Sequence, residues 1–198
     1  MAREELIGFD HTLAIASPAT KVLGAFFEPR ALASWWDVAR SIAVPRPLGA
    51  YALEWTPAEA TDDLLGRLGG TFHGTVIDFK AGRTLLVADA YFLPPDTDPV
   101  GPMALEVACS SRRRLTAAVD LVLARLHAPS PSASAEQAAA DTVGSPAVTV
   151  LRVVMRGYEE SARWRRYYEL LGVSLPAALE KLKDYLERGR GIWDLRGW

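Results

Sequence analysis

Cysteine is almost absent from this sequence of 198 residues, in which Cys109 stands alone. A lone cysteine excludes an intramolecular disulfide, so the chain must be stabilised by its apolar core. Uninterrupted apolar runs of about 18 residues, which could span a bilayer, are also missing. The first residues, MAREELIGFDHTL, contain two early acidic residues and no apolar segment typical of a signal peptide. We therefore expect a cytoplasmic protein with no membrane partner.

An excess of charge of either sign is missing as well. The 22 basic and 24 acidic residues leave a net charge of −2, which is too small to attract a polyanion. The stretch RWRRYYELL, with Arg163, Arg165 and Arg166, superficially suggests a nucleic-acid contact. At helical spacing its aromatic residues turn inward and its arginines outward, which favours a solvated helix face. We expect no nucleic-acid partner.

Residue types that bind metals or cofactors do not cluster in the sequence. The histidines, His11, His73 and His127, are far apart, and Cys109 has no cysteine nearby. Metal sites need convergent ligands, usually with some at short spacing, so we expect no metal. The glycines of GRLGG lack the lysine and the strand–helix context of a phosphate loop. We expect no cofactor.

Two polar arrangements stay open as catalytic sites. His73 follows Phe72 on a predicted strand, so one of these two side chains faces inward. An inward His73 with Asp78 or Glu54 could form an acid–base pair, and a Cys109–His73 pair is the other alternative. The plainer interpretation has no catalytic residue, with His73 an ordinary strand histidine and Cys109 a small buried apolar residue.

The composition is that of a globular core. Apolar residues make up 49% and charged residues 23% of the chain, and its length fits one domain over residues 1–198. The patterns predict a strand at 10–16, a helix capped by Ser17 with Pro18 in its first turn, and a second helix from Pro29. Residues 56–69 are predicted to form a loop or one helical turn. Further strands are predicted at 41–47, 49–55, 70–80, 83–93, 103–110 and 147–158.

Residues 111–146 interrupt the series of strands. Residues 113–126 have apolar side chains at helical spacing, and 127–146 are rich in Ala, Ser and Pro, which predicts a flexible loop. An amphipathic insertion of this kind could cover a cavity, contact a second subunit or dock a partner. A lid or a homodimer contact is favoured over membrane binding, because the polar face has few lysines.

The C-terminal part is predicted to be helical, with an interruption at Gly172 and a second segment capped by Ser174. Runs of strands flanked by helices indicate an α+β fold with an antiparallel sheet. A long terminal helix over one face of a curved sheet encloses space, which can become a cavity.

Several stretches of the sequence resemble one protein family. They are IASPATKVLGAFFEPRALASWW (15–36), PLGAYALEW (47–55), GTVIDFKAGRTLLVADAYF (74–92) and, more loosely, LLGVSLPAALEKLKDYLE (170–187). Together they resemble the SRPBCC (START-like, helix-grip) superfamily, in particular bacterial proteins similar to the activator of Hsp90 ATPase. Val173 replaces the usual tryptophan and Ala81 the usual proline. The resemblance implies a curved antiparallel sheet wrapped around the terminal helix, often over an apolar cavity.

The adjacent residues Trp35 and Trp36 need a separate explanation, because neighbouring side chains on a helix point about 100° apart. One ring could anchor the second helix while the other faces a cavity mouth, or both could fill the end of the core. Residues predicted to bind a ligand are Trp35, Trp36, Tyr51, Trp55, Phe72, His73, Tyr91, Met103 and Val153.

Three functions compete at this point. The first is binding of a small hydrophobic molecule in an internal cavity. The second, implied only by the family resemblance, is a protein-interaction module that regulates a chaperone. The third is an enzyme of the cyclase or hydrolase kind, which would need a polar group inside the cavity. A fold alone does not choose among these functions.

Overall fold

The structure is a computed structural model that describes residues 8–112, 148–157 and 161–188. Its strands are β1 (Gly8–Ile15), β2 (Arg40–Ala43), β3 (Ala50–Trp55), β4 (Thr61–Asp62), β5 (Gly66–Arg67), β6 (Gly70–Lys80), β7 (Thr84–Leu93), β8 (Val100–Arg112) and β9 (Val148–Gly157). Its helices are α1 (Ala19–Gly24), α2 (Pro29–Trp35) and α3 (Ala162–Arg188). Within these residues, no helix is both long and apolar enough to cross a membrane.

Seven strands form one antiparallel sheet in the order β1-β9-β8-β7-β6-β3-β2, and β4 and β5 form a separate two-stranded sheet. The large sheet is curved and does not close, and α3 lies across it. Register shifts occur where β7 pairs with β6 and β8, and such bulges bend strands. The predicted α+β fold, with its curved antiparallel sheet, long C-terminal helix and two short early helices, is confirmed.

The core lies on the inner face of the sheet, because apolar side chains alternate along each strand. On β1, Phe9, Leu13 and Ile15 are buried while Gly8, Asp10 and Thr12 are exposed. Residues that are paired across neighbouring strands face the same side, so the same alternation of buried and exposed side chains continues through the sheet. Leu53 of β3, Phe72 of β6 and Phe92 of β7 therefore lie opposite one another in one inner row.

Helix α3 is continuous, so the predicted interruption at Gly172 is wrong. Gly172 and Pro176 both lie inside the helix, and Ser174 does not begin a new one. Isolated helices rarely tolerate such residues, but most helical stability in proteins comes from packing of an apolar face. Here that face is buried over almost the whole length of α3, through Trp164, Tyr167, Tyr168, Leu175, Ala178, Leu179 and Leu182.

The two short helices follow the proline positions closely. Pro29 occupies the first turn of α2, where its missing N–H needs no partner. The predicted cap of α1 is wrong by one residue, because Pro18 takes the N-cap position. Ser17 is instead buried, and its carbonyl oxygen accepts a hydrogen bond from Thr149 Oγ1 at 2.6 Å.

The predicted insertion begins too early, because β8 continues to Arg112 and pairs with β9 as far as Val148. The predicted helix at 113–126 and loop at 127–146 lie outside the described residues.

Candidate functional site

A pocket of about 540 Å³ opens between α3 and one end of the sheet. Its walls come from α3, from the inner face of β3, β6, β7 and β9, from the end of α2 and from residues 56–69. Five aromatic rings line it, those of Trp36, Trp55, Phe72, Phe92 and Tyr167. A concave, largely apolar cavity of this size is typical of small-molecule sites.

The two adjacent tryptophans have different environments. Trp35 is the last residue of α2 and fully buried, and its Nε1–H donates to the Ala25 carbonyl oxygen at 3.1 Å. Trp36 is partly exposed and lines the pocket. Trp36 is the C-cap of α2, where the backbone leaves helical geometry, and the two rings stack with centroids 4.8 Å apart. This corresponds to the first predicted arrangement, in which one ring anchors the helix and the other faces the opening.

Trp55, at the end of β3, contacts Trp36 at the end of α2. Its Nε1–H donates to the Trp36 carbonyl oxygen at 2.7 Å, and its ring meets the Trp36 ring edge-on at 5.4 Å. Both rings line the pocket. The hydrogen bond satisfies the polar atom of Trp55, so this ring contributes an apolar surface to the wall.

Residues 56–69 form another wall, which we call the β4–β5 segment. They hold the short β4–β5 pair rather than the predicted loop or helical turn. Leu65 and Leu68 of this segment line the pocket, and Leu65 is almost fully buried. The sequence did not identify these leucines as site residues, because nothing local indicates that the segment folds back over the sheet.

Helix α3 holds the β4–β5 segment through two arginines. Arg166 Nε donates to Asp62 Oδ2 at 2.6 Å, and Arg163 Nε donates to the Leu64 carbonyl oxygen at 3.0 Å. The bond from Arg166, followed by the backbone N–H of Leu64, holds the pKa of Asp62 below its usual value. The prediction that these arginines form only a solvated face is therefore wrong for Arg163 and Arg166, whereas Arg165 is exposed.

The mouth of the pocket carries one ion pair. Lys181 Nζ of α3 lies 2.6 Å from Asp37 Oδ2, which follows the end of α2. Asp37 has a left-handed backbone with φ of 55°, a conformation that aspartate tolerates better than most residues. Neither residue was predicted to belong to the site, although Ser174, Ala178 and Lys181 follow one another at helical spacing along the pocket wall.

Three of the nine predicted ligand-binding residues, Trp36, Trp55 and Phe72, line the pocket. Trp35 is packed behind Trp36. The remaining predicted residues lie elsewhere: Tyr51, Met103 and Val153 are buried in the core, and His73 and Tyr91 lie on the outer face of the sheet.

The side chains of His73 and Tyr91 point away from the pocket, because successive residues of a strand face opposite sides of the sheet. Phe72 faces inward, so His73 faces outward, where it is exposed. Tyr91 is its partner on β7 and stacks on it with ring centroids 5.9 Å apart. We correct the predicted inward placement of both side chains.

The polar arrangements considered as catalytic sites have other partners. Glu54 pairs with Arg40 at 3.0 Å, and Asp78 Oδ2 accepts a hydrogen bond from Thr84 Oγ1 at 3.0 Å. Burial raises the pKa of the Cys109 thiol to about 11, which keeps it protonated near neutrality. Over the described ranges 8–112, 148–157 and 161–188, no group of three or more His, Cys, Asp or Glu could hold a metal.

No protein-family model matches the sequence, and no curated protein matches it. Solved structures do match. A Rhodobacter sphaeroides protein superposes with a TM-score of 0.59 at 12% identity, over 94% of this chain and 96% of that one. A Mycobacterium smegmatis protein gives 0.58 at 12% identity, over 96% of both chains. The Aha1 dimer from Colwellia psychrerythraea gives 0.53 at 12% identity, over 92% and 97%. These likenesses show a shared helix-grip-like fold.

Proposed function

We propose that this protein binds a small hydrophobic molecule in the pocket between α3 and the sheet. The observation that carries the proposal is a pocket of about 540 Å³ that is walled by five aromatic rings and that the side chains of residues 8–112, 148–157 and 161–188 leave open. Burying apolar ligand surface there would contribute about 25 cal/mol for each Å² removed from water. The revised site consists of Trp36, Trp55, Phe72, Phe92, Tyr167 and Leu65, with Trp35 supporting Trp36 from behind.

We propose binding rather than catalysis, because the charged groups on the lining, Asp37 and Lys181, are paired with each other at the mouth. The only other titratable side chain of the described lining is Tyr167, and burial raises its pKa, so the phenol stays protonated. Side chains such as Phe72 and Met155 offer no acid or base.

The family resemblance extends the proposal. The motifs at 15–36 and 47–55 and the helix-grip-like fold support membership of the SRPBCC superfamily. We also propose that residues 1–198 form one domain and that the protein is cytoplasmic. A chaperone-regulating role and a homodimer are the alternative, favoured by the likeness of fold to the Aha1 dimer. We rank this second because no described contact of this chain points to a chaperone.

A fluorescent probe tests the proposal directly. N-phenyl-1-naphthylamine is neutral and apolar, and it brightens when it leaves water. We expect saturable binding by the intact protein. The variant Ala177→Phe places a ring on an exposed helix position that lines the pocket, so it should weaken binding at least about tenfold.

The matched control is Ala162→Phe, the same substitution at an exposed position of α3 outside the pocket lining. It should leave probe affinity unchanged. Native mass spectrometry of the protein purified from its own host should also show a retained small molecule. Absence of saturable probe binding, or equal binding by both variants, would contradict the proposal.

A further inference from the structure

Apart from the buried Tyr167, the residues of the described lining with polar side chains are collected at the mouth of the pocket. Asp37, Thr56, Ser174 and Lys181 all line the pocket, and all four residues are exposed. The walls behind them are aromatic and aliphatic. A ligand that fills this pocket must therefore keep its apolar part inside, and a charged end is favoured at the mouth, where water and these groups meet it.

Lys181 and Asp37 are not equivalent partners for such a polar end. The Lys181 side chain is 54% exposed and rises from α3, whose Ala177 and Ala178 line the same wall. The Asp37 side chain is 70% exposed and stands beyond the end of α2. A lysine stem can lie along apolar surface while its ammonium group stays in water. Both residues line the pocket, and Lys181 is the member of the pair whose charge can attract an anionic end of a ligand.

Separation of the pair costs little. Both partners are largely exposed, and ion pairs of this kind contribute only weakly to stability. A ligand anion at the mouth would replace Asp37 as the acceptor of the Lys181 hydrogen bonds, and Asp37 would turn to water. Ser174, two helical turns before Lys181 on the same wall, would offer a hydroxyl donor to the same end of the ligand.

Resting on the proposed function, we infer that the ligand is an amphipathic molecule with a ring-rich apolar body and one terminal anionic group, such as a carboxylate, paired with Lys181. The five aromatic rings of the wall favour a ring-rich body, since aromatic groups add favourable edge and offset contacts to apolar burial. The single cation on the described lining, at the opening, sets the position of the anionic end.

Two probes that differ in one group test this inference. 8-Anilinonaphthalene-1-sulfonate has the ring system of N-phenyl-1-naphthylamine and adds a sulfonate. We expect the intact protein to bind the anionic probe about twofold more tightly than the neutral one, because the ion pair with the probe replaces a Lys181–Asp37 pair of the same weak kind. Lys181→Gln should remove this preference and leave the affinity for the neutral probe unchanged.

Two variants serve as controls. Lys183→Gln removes the same charge from the other side of α3, outside the pocket lining, and should keep the preference. Asp37→Asn removes the competing negative charge and keeps a side chain that tolerates the left-handed backbone. It should strengthen binding of the anionic probe a few-fold and leave that of the neutral probe unchanged.

The outcomes separate this inference from the proposed function. Saturable binding of both probes with equal affinity, or equal effects of the two lysine variants, would overturn the anionic ligand and leave a hydrophobic pocket standing. Tighter binding of the neutral probe would overturn it as well. Failure of both probes to bind would overturn the proposed function and, with it, the inference.

Discussion

Trp35 and Trp36 differ in burial, and replacing each by phenylalanine tests whether they also differ in role. Trp35→Phe deletes an indole N–H that donates to the buried Ala25 carbonyl oxygen, which costs about 1 to 3 kcal/mol. It also removes buried ring carbons, at about 0.8 kcal/mol each. We expect a loss of about 3 kcal/mol in the free energy of unfolding. Trp36→Phe acts on a partly exposed ring and should cost about 1 kcal/mol.

Urea unfolding followed by circular dichroism measures the loss in the free energy of unfolding for both variants without using tryptophan fluorescence. Thermal unfolding followed by the same signal gives the change in Tm. For a chain of this length, each 1 kcal/mol shifts Tm by about 2 to 4 °C, so Trp35→Phe should lower Tm by about 6 to 12 °C. Probe binding should show the reverse order, because Trp36 lines the pocket and Trp35 does not. A larger stability loss for Trp36→Phe, or a larger affinity loss for Trp35→Phe in folded protein, would refute the assignment of roles.

Two further predictions concern stability. Gly172→Ala should raise Tm by about 2 to 4 °C, since Gly172 is exposed inside α3 with open space at its Cβ position, and glycine costs a helix about 1 kcal/mol; a lower Tm would mean that α3 is interrupted there. Asp62→Asn should destabilise the protein at neutral pH, because the pKa of Asp62 is lowered when it pairs with Arg166. A lowered carboxylate pKa stabilises fully above the unfolded value of 3.8, so the difference between Asp62→Asn and the unmodified protein should shrink as pH falls through 3.8 and through the lower pKa of the folded protein. A difference in urea titrations that does not shrink over this range would contradict this.

The elements that follow from local rules were predictable. Proline at position 29 begins α2, because its fixed backbone angle and missing N–H suit the first helical turn. Apolar residues bounded by the turn KAGR predicted the hairpin of β6 and β7, which end and begin at Lys80 and Thr84. These features depend on residues that are neighbours in the chain, so the sequence contains the whole signal.

Positions inside or outside the pocket were harder to predict. Phe72 and His73 are adjacent on a strand and so face opposite sides of the sheet, but both were predicted to line the cavity. The prediction is therefore right for Phe72 and wrong for His73. A one-residue change of parity reverses every side chain on a strand, and β6 and β7 also contain register shifts. Tyr167 could have been found by following the apolar stripe of α3 into the site, whereas Leu65 could not.

By itself, the sequence determined the order of the long strands and the helices of the described residues, the need for an apolar core and the exclusion of an intramolecular disulfide; it missed the short β4–β5 pair and the continuity of α3. Only the tertiary structure decided which residues meet at the pocket. Asp37 and Lys181 are 144 positions apart, and Asp62 and Arg166 are 104 apart. The physical reason is that such pairs depend on how α3 docks across the curved sheet, and docking is set by the whole buried surface rather than by any local pattern.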